Sequence, residues 1–169
     1  EASGVNATAF GNDTKAKAAA ATSFGTTTTA FGDNATAFGL STTASGKQAT
    51  AFGSSSTASG DNATAFGESS TASGEAATAF GISSNASGKN SLAALGGTAS
   101  NENSIAIGKD TKANNADKAV SVAIGQNAEA SGAQSLAIGF GNVSETNQSG
   151  NTKYPVSATQ ATAKGAIAI

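Results

Sequence analysis

DNATAFG LSTTASG KQATAFG SSSTASG DNATAFG ESSTASG EAATAFG ISSNASG, running from Asp33 to Gly88, is one 14-residue unit written four times, each copy made of two related seven-residue halves. Glycine recurs at every seventh residue from Gly4 to Gly88, a step broken only by Ala18. Phe recurs at every fourteenth, at Phe10, Phe24, Phe38, Phe52, Phe66 and Phe80. A repeat this regular implies a solenoid, whose units cannot bury an apolar face alone and must stack on their neighbours.

Within one unit the local chemistry is that of strand and turn. Asp33-Asn34 is turn chemistry, and Gly39 permits the positive φ expected at a corner. The residues between them alternate, so Ala35 and Ala37 point one way while Thr36 and Phe38 point the other. In the second half Thr42 and Ala44 share the inner side, and Thr43 and Ser45 share the outer one. A helix is excluded, because a glycine every seven residues would cost about 0.8–1.0 kcal/mol each relative to alanine. The expectation is all-β: two short strands per coil in a flattened parallel stack, with small side chains meeting inside. Coils stacked about 4.8 Å apart would align the six Phe into an outward ladder. An apolar strip of that size needs covering, so the ladder reads as an interface with further copies of the chain.

Composition excludes much else. The 169 residues contain no Cys, His, Met, Trp or Arg, one Tyr and one Pro; only 12% are charged, and the formal net charge is -2. Such a balance leaves no footprint for nucleic acid or anionic lipid. Absence of Cys means that no disulfide is needed and leaves the compartment open. Without His or Cys, a base–nucleophile pair would have to come from Asp, Glu or Lys. The acids are instead scattered over turn positions such as Asp33, Asp61, Glu68 and Glu75. No catalytic residue or cofactor is expected. A calcium ladder is not expected either, since Lys47 and Glu75 stand where Asp33 and Asp61 recur. No apolar run is long enough to span a bilayer as a helix. The chain reads as a piece of something larger, a single unit over 1–169 whose membrane anchor would lie outside it.

Taken in order, the repeat varies most at its two ends. At the N-terminal end, Lys15 and Lys17 occupy outward positions of a second half. In the next coil the outward pair is Thr29 and Phe31, with Phe31 where later copies place Ser45, Ser59, Ser73 and Ser87. Phe31 reads either as a lone exposed apolar residue or, with Lys15, Lys17 and Thr29, as part of a contact patch. After Gly88 the outward apolar residue changes to Leu or Ile, and Leu95, Ile107, Ile124 and Ile138 are expected to continue the Phe column. Uneven spacings there place insertions at 110–119 and 140–157, the latter holding Tyr154, a further candidate contact. Insertions in a solenoid map to loops on its rim.

The units SIAIG (104–108), SVAIG (121–125) and SLAIG (135–139), alternating with Ala-Ser-Gly second halves, resemble the head repeats of trimeric autotransporter adhesins of the Yersinia-adhesin type. The run ADKAVSVAIG (116–125) is similar to an insertion and re-entry of those heads. The resemblance covers essentially the whole chain, although Phe stands where Ile is usual and Thr where Ser or Val is usual. It implies a left-handed parallel β-roll, three chains around one axis, and display from the outer membrane of a Gram-negative bacterium. It also implies adhesion to host matrix proteins or cell-surface receptors by the head, with no direct membrane contact. Stalk and anchor would follow elsewhere in the protein. Two rival readings are a structural spacer or self-associating biofilm fibre, and an ice-binding solenoid presenting the Thr43/Ser45, Thr57/Ser59 and Thr71/Ser73 array. Asn85, Phe31 and the two lysines interrupt that array.

Overall fold

A computed structural model describes residues 1–115, 119–140 and 159–169 of the chain. It is an all-β parallel solenoid with one coil per 14 residues over its regular part. Among the described residues, eleven first-half strands line up in chain order in one sheet, and ten second-half strands line up in the other. Thr36–Leu40 pairs with Thr22–Thr26 before it and Thr50–Ser54 after it, so Phe38 meets Phe24 and Phe52 in register. Likewise Thr43–Ala44 lies between Thr29–Ala30 and Thr57–Ala58. The alternation read from the sequence determines the facing: Ala35, Ala37, Thr42 and Ala44 are wholly buried, while Phe38 and Ser45 face solvent.

Among the described residues the core between the sheets is built almost entirely of alanine, joined by buried serines and threonines and, beside the first insertion, by Asn101 and Asn115. The buried hydroxyls are satisfied unevenly. Ser70 Oγ donates to the Gly67 carbonyl at 3.1 Å and Ser84 Oγ to the Phe80 carbonyl at 2.8 Å, while Ser23 and Thr28 bond each other at 2.7 Å. Thr42 Oγ1, Ser56 Oγ and Ser91 Oγ are buried without a hydrogen-bond partner. A buried polar atom left unpaired costs about 1–3 kcal/mol.

The corners show that the seven-residue glycine step has two causes. First-half glycines take the positive φ expected of them, +137° at Gly39 and +136° at Gly53. Second-half glycines do not. At Gly46 an added Cβ would lie 2.0 Å from the Gly60 carbonyl oxygen, and at Gly60 it would lie 2.0 Å from that of Gly74. There space alone requires the glycine, whereas first-half glycines meet the same close approach in addition, an added Cβ at Gly39 lying 1.8 Å from the Gly53 carbonyl oxygen. The left-handed residue of each half is instead the second one: Asn34 at φ 57°, Ser41 at 55°, Gln48 at 57° and Ser55 at 57°. Their N–H groups are engaged coil to coil, with Asn34 donating to the Ala19 carbonyl and Gln48 to that of Asp33, both at 2.8 Å. Corner acids join the same network. Asp61 Oδ1 accepts the Lys47 N–H at 2.8 Å, and Asp33 Oδ1 accepts that of Ala19 at 3.2 Å.

Two expectations are corrected where the coil length changes. Phe80 is in register with Ala94, and Ala94 with Ile107, so Leu95 does not continue the column. This coil is one residue short at its turn, which moves Leu95 to the left-handed corner (φ 56°), where its side chain is exposed. The first insertion is also shorter than the expected 110–119. Thr111 is buried and Lys112–Ala113 is a strand paired with Thr98–Ala99 and Glu129–Ala130. Coil-to-coil hydrogen bonding continues through Asn114, whose N–H donates to the Ala130 carbonyl at 3.4 Å. Asn115 closes the base of the insertion: its Oδ1 accepts the Ala119 N–H at 2.9 Å, its Nδ2 donates to the Ala119 carbonyl, and its own carbonyl accepts Asn101 Nδ2 at 3.0 Å. Residues 116–118 lie outside the described residues, as does all of the 140–157 insertion except Phe140.

Two substitutions follow from this packing. Gly60→Ala, flanked above and below by glycine corners, is expected to destabilise by about 1–3 kcal/mol, the range for overpacking, seen as a lower midpoint in thermal or denaturant unfolding. Ala18 shows that the stack absorbs one such methyl group, so a loss beyond this range would mean that corner spacing tolerates less than argued. Thr42→Val keeps the shape and removes an unpaired hydroxyl. It is expected to be neutral or to stabilise by about 1 kcal/mol, and a loss of more than that would show that Thr42 Oγ1 has a partner in solution.

Candidate functional site

Two outward faces result from this architecture. On the first-half sheet the Phe side chains form a continuous stack from Phe10 to Phe80. Successive ring centroids lie 4.8, 4.9, 4.7, 4.9 and 5.4 Å apart, with interplanar angles no greater than 12°. Register forces this: in-phase strands put identical side chains one strand spacing apart, so the rings must stack with their faces covering each other and their edges outward. Stacking does not bury them. Phe38 remains 38% exposed in mid-ladder, and Phe10 is 64% exposed at its end.

Toward the C-terminus the same face changes character. The Phe column becomes Ala94, Ile107, Ile124 and Ile138, and the Thr column beside it becomes Leu92, Ile105, Val122 and Leu136. One large residue beside a small polar one is replaced by two aliphatic residues of intermediate size. Sequence reasoning found Ile107, Ile124 and Ile138 but missed Leu92, Ile105, Val122 and Leu136. The signal was present two residues upstream of each Ile, on the same side of the strand.

The second-half sheet presents the other face. Its outer column runs Lys15, Thr29, Thr43, Thr57, Thr71, Asn85, Thr98, Lys112 and Glu129. At the N-terminal end the structure brings together four of the expected contact residues. Lys15 and Thr29 are register partners, and Lys17 Nζ sits 5.2 Å from the centroid of the Phe31 ring. Lys15 Nζ also pairs with Asp13 at 3.0 Å, both side chains being well exposed, so this pair adds little stability. A cation over an exposed ring contributes about 0.5–1 kcal/mol, enough to orient the pair but not to hide Phe31. Tyr154 lies outside the described residues.

A third feature was not anticipated. Beside the shortened coil, Ile82, Leu95, Gly96, Lys109, Asp110 and Lys112 line an open groove of about 770 Å³. It follows from the missing residue, which draws the turn inward and leaves Ile82 and Leu95 as its apolar walls. Elsewhere on the rim, the Glu75 carboxylate beside Lys89, 2.9 Å away, holds that ammonium above its ordinary pKa by hydrogen bonding and charge. Among the described residues no three His, Cys, Asp or Glu side chains gather as a metal site would require, and no helix is long and apolar enough to cross a membrane.

Comparison with known families gives one match. The model described as the YadA head domain repeat (2 copies) matches residues 2–27, 16–42, 44–71, 72–94, 98–120 and 121–142. No curated protein matches the chain. Successive matches follow the coils described above, and one ends at Ala94, where the coil shortens.

Proposed function

Because this chain belongs to the family of YadA head domain repeats, non-catalytic adhesin heads exposed on trimeric autotransporters anchored in the outer membrane, we propose that three copies assemble around the Phe face. Together they would form the left-handed head by which a Gram-negative bacterium attaches to host matrix proteins or cell-surface receptors. Anchoring falls to a part of the protein outside these residues. The observation that carries the assembly is the stacked, half-exposed ladder Phe10, Phe24, Phe38, Phe52, Phe66 and Phe80. The alanine core offers little apolar area per coil. Covering one Phe edge adds as much as roughly 1.5–3 kcal/mol per coil, and a second and third copy of the same face supply that cover. Ile107, Ile124 and Ile138, with the parallel column through Ile105 and Val122, extend the contact beyond the shortened coil.

Trimerisation would occupy the first-half face and leave the second-half sheet for the ligand. Most of that sheet is a repeated Thr/Ser lattice, which offers avidity through many weak identical sites. Lys15, Lys17, Thr29 and Phe31 differ from the lattice, combining positive charge with an exposed ring. They are the proposed ligand patch, with Tyr154 a further candidate from the second insertion.

Two experiments test these claims separately. Phe52→Asp combined with Phe66→Asp is expected to abolish the trimer and the folded state together, followed by light scattering and circular dichroism. A soluble, folded monomer of that variant would sink the assembly. Lys15→Glu combined with Phe31→Ser is expected to weaken binding to immobilised matrix protein or cells about tenfold or more while the trimer persists, a loss of about 1.4 kcal/mol or more. Unchanged binding, with binding lost instead on deletion of 140–157, would move the site to that insertion.

A further inference from the structure

The rim carries a chemistry that adhesion does not use. Asn6, Asn34 and Asn62 each open the triplet Asn-Ala-Thr, and Asn85 opens Asn-Ala-Ser. An asparagine two residues before Ser or Thr, with no proline between, is the acceptor signature for an N-linked sugar. The three Asn-Ala-Thr asparagines lie exposed at equivalent corners, at φ 58°, 57° and 58°. A left-handed φ alone favours asparagine, so the corner by itself decides nothing. Asn90 and Asn103, which open no triplet, pair with each other, Asn90 Nδ2 donating to Asn103 Oδ1 at 3.1 Å, while Asn127, at the same kind of corner and also without a triplet, makes no side-chain hydrogen bond among the described residues. The side-chain amides of Asn34 and Asn62 have no hydrogen-bond partner among the described residues, and stand free at the rim.

Asn85 is the more telling residue, because no corner requires it. It opens the two-residue strand Asn85–Ala86, exposed in the outer column between Thr71 and Thr98, where asparagine is disfavoured. Spacing also fits. Ala20, Gln48 and Ala76 separate the corner acceptors, so these fall on alternate coils. With ring-to-ring steps of 4.7 and 4.9 Å over that stretch, two coils set Asn34 and Asn62 about 10 Å apart. Neighbouring coils would crowd two sugars, whereas alternate coils leave room for both.

We propose that Asn34, Asn62 and Asn85 are acceptor sites for N-linked glycosylation by an asparagine glycosyltransferase using a sugar carried on a diphosphate. The amide Nδ2 attacks the anomeric carbon. The new N–C bond forms as the bond from that carbon to the diphosphate oxygen breaks; the electron pair leaves with the diphosphate, and the amide proton passes to the transferase base. No redox partner is needed. Sugar attached at these positions projects from the rim and the Thr/Ser face without touching the alanine core.

The test is mass spectrometry of the protein isolated from its native bacterium, beside the same chain made in a host without such a transferase. Cleavage after Lys17, Lys47 and Lys89 separates Asn34 (18–47) from Asn62 and Asn85 (48–89). The expected result is one glycosyl increment on the first peptide and two on the second, found only in the native material. Asn34→Gln and Thr36→Val should each remove the first increment. The former is compatible with the fold because Gln48 already occupies an equivalent corner at φ 57°. Single-hexose increments would identify a nucleotide-sugar donor, and one larger fixed increment a lipid-linked donor; either supports the sites. Native peptides at their sequence mass, or sugar confined to Ser and Thr hydroxyls, would overturn the proposal. An unmodified chain that still trimerises and binds would leave the adhesin reading standing.

Discussion

Among the described residues, each coil hydrogen-bonds in register to the coil before and the coil after it, at the spacing of one β-strand. That single constraint converts sequence period into surface. A residue type repeated every 14 positions becomes a straight column, and over the regular coils each column has one environment: buried methyl, corner, outward ring or outward hydroxyl. Conformation, packing and recognition therefore follow from one rise. At second-half corners the backbones come so close that a Cβ would sit about 2 Å from the next carbonyl oxygen, as at Gly46 and Gly60.

The same closeness limits the core. Two sheets back to back leave room for alanine, serine and threonine, and the interior of each regular coil from Ala35 to Ala86 is three alanines with one hydroxyl residue. Methyl groups contribute little apolar area, so the outward aromatic ladder carries a share of stability that an ordinary domain keeps inside. The chain thus differs from a globular fold in where its largest side chains stand. Its big residues face outward, and in the proposed assembly their burial would fall to neighbouring copies.

The fold was largely legible because period and alternation are backbone properties. Phe at every fourteenth residue fixed the coil, and Ala35 with Ala37 against Thr36 with Phe38 fixed the facing. What escaped reading were events inside turns. The loss of one residue between Ala94 and Gly97 shifts Leu95 from the outward column to a corner, and twelve residues between Leu95 and Ile107 could not say which residue was surplus. Register resolves it through the Ala94–Ile107 pair. That second-half glycines are needed for space alone, while first-half ones are needed for space and for a positive φ, was also hidden, because both leave the same letter in the sequence. Of the candidate patch, Lys15, Lys17, Thr29 and Phe31 were recoverable as departures from a monotonous lattice. The aliphatic column through Leu92 and Ile105 was passed over because Thr filled its place in the regular copies.

Ala94 has a consequence for the mechanics of the rod. The outward column is aromatic on one side of it and aliphatic on the other, and at Ala94 itself it carries a single methyl group, beside the groove between Ile82 and Leu95. In the proposed assembly that coil would bring the least apolar area to the shared contact, so a sideways load would part the copies there more easily than along the aromatic or aliphatic stretches.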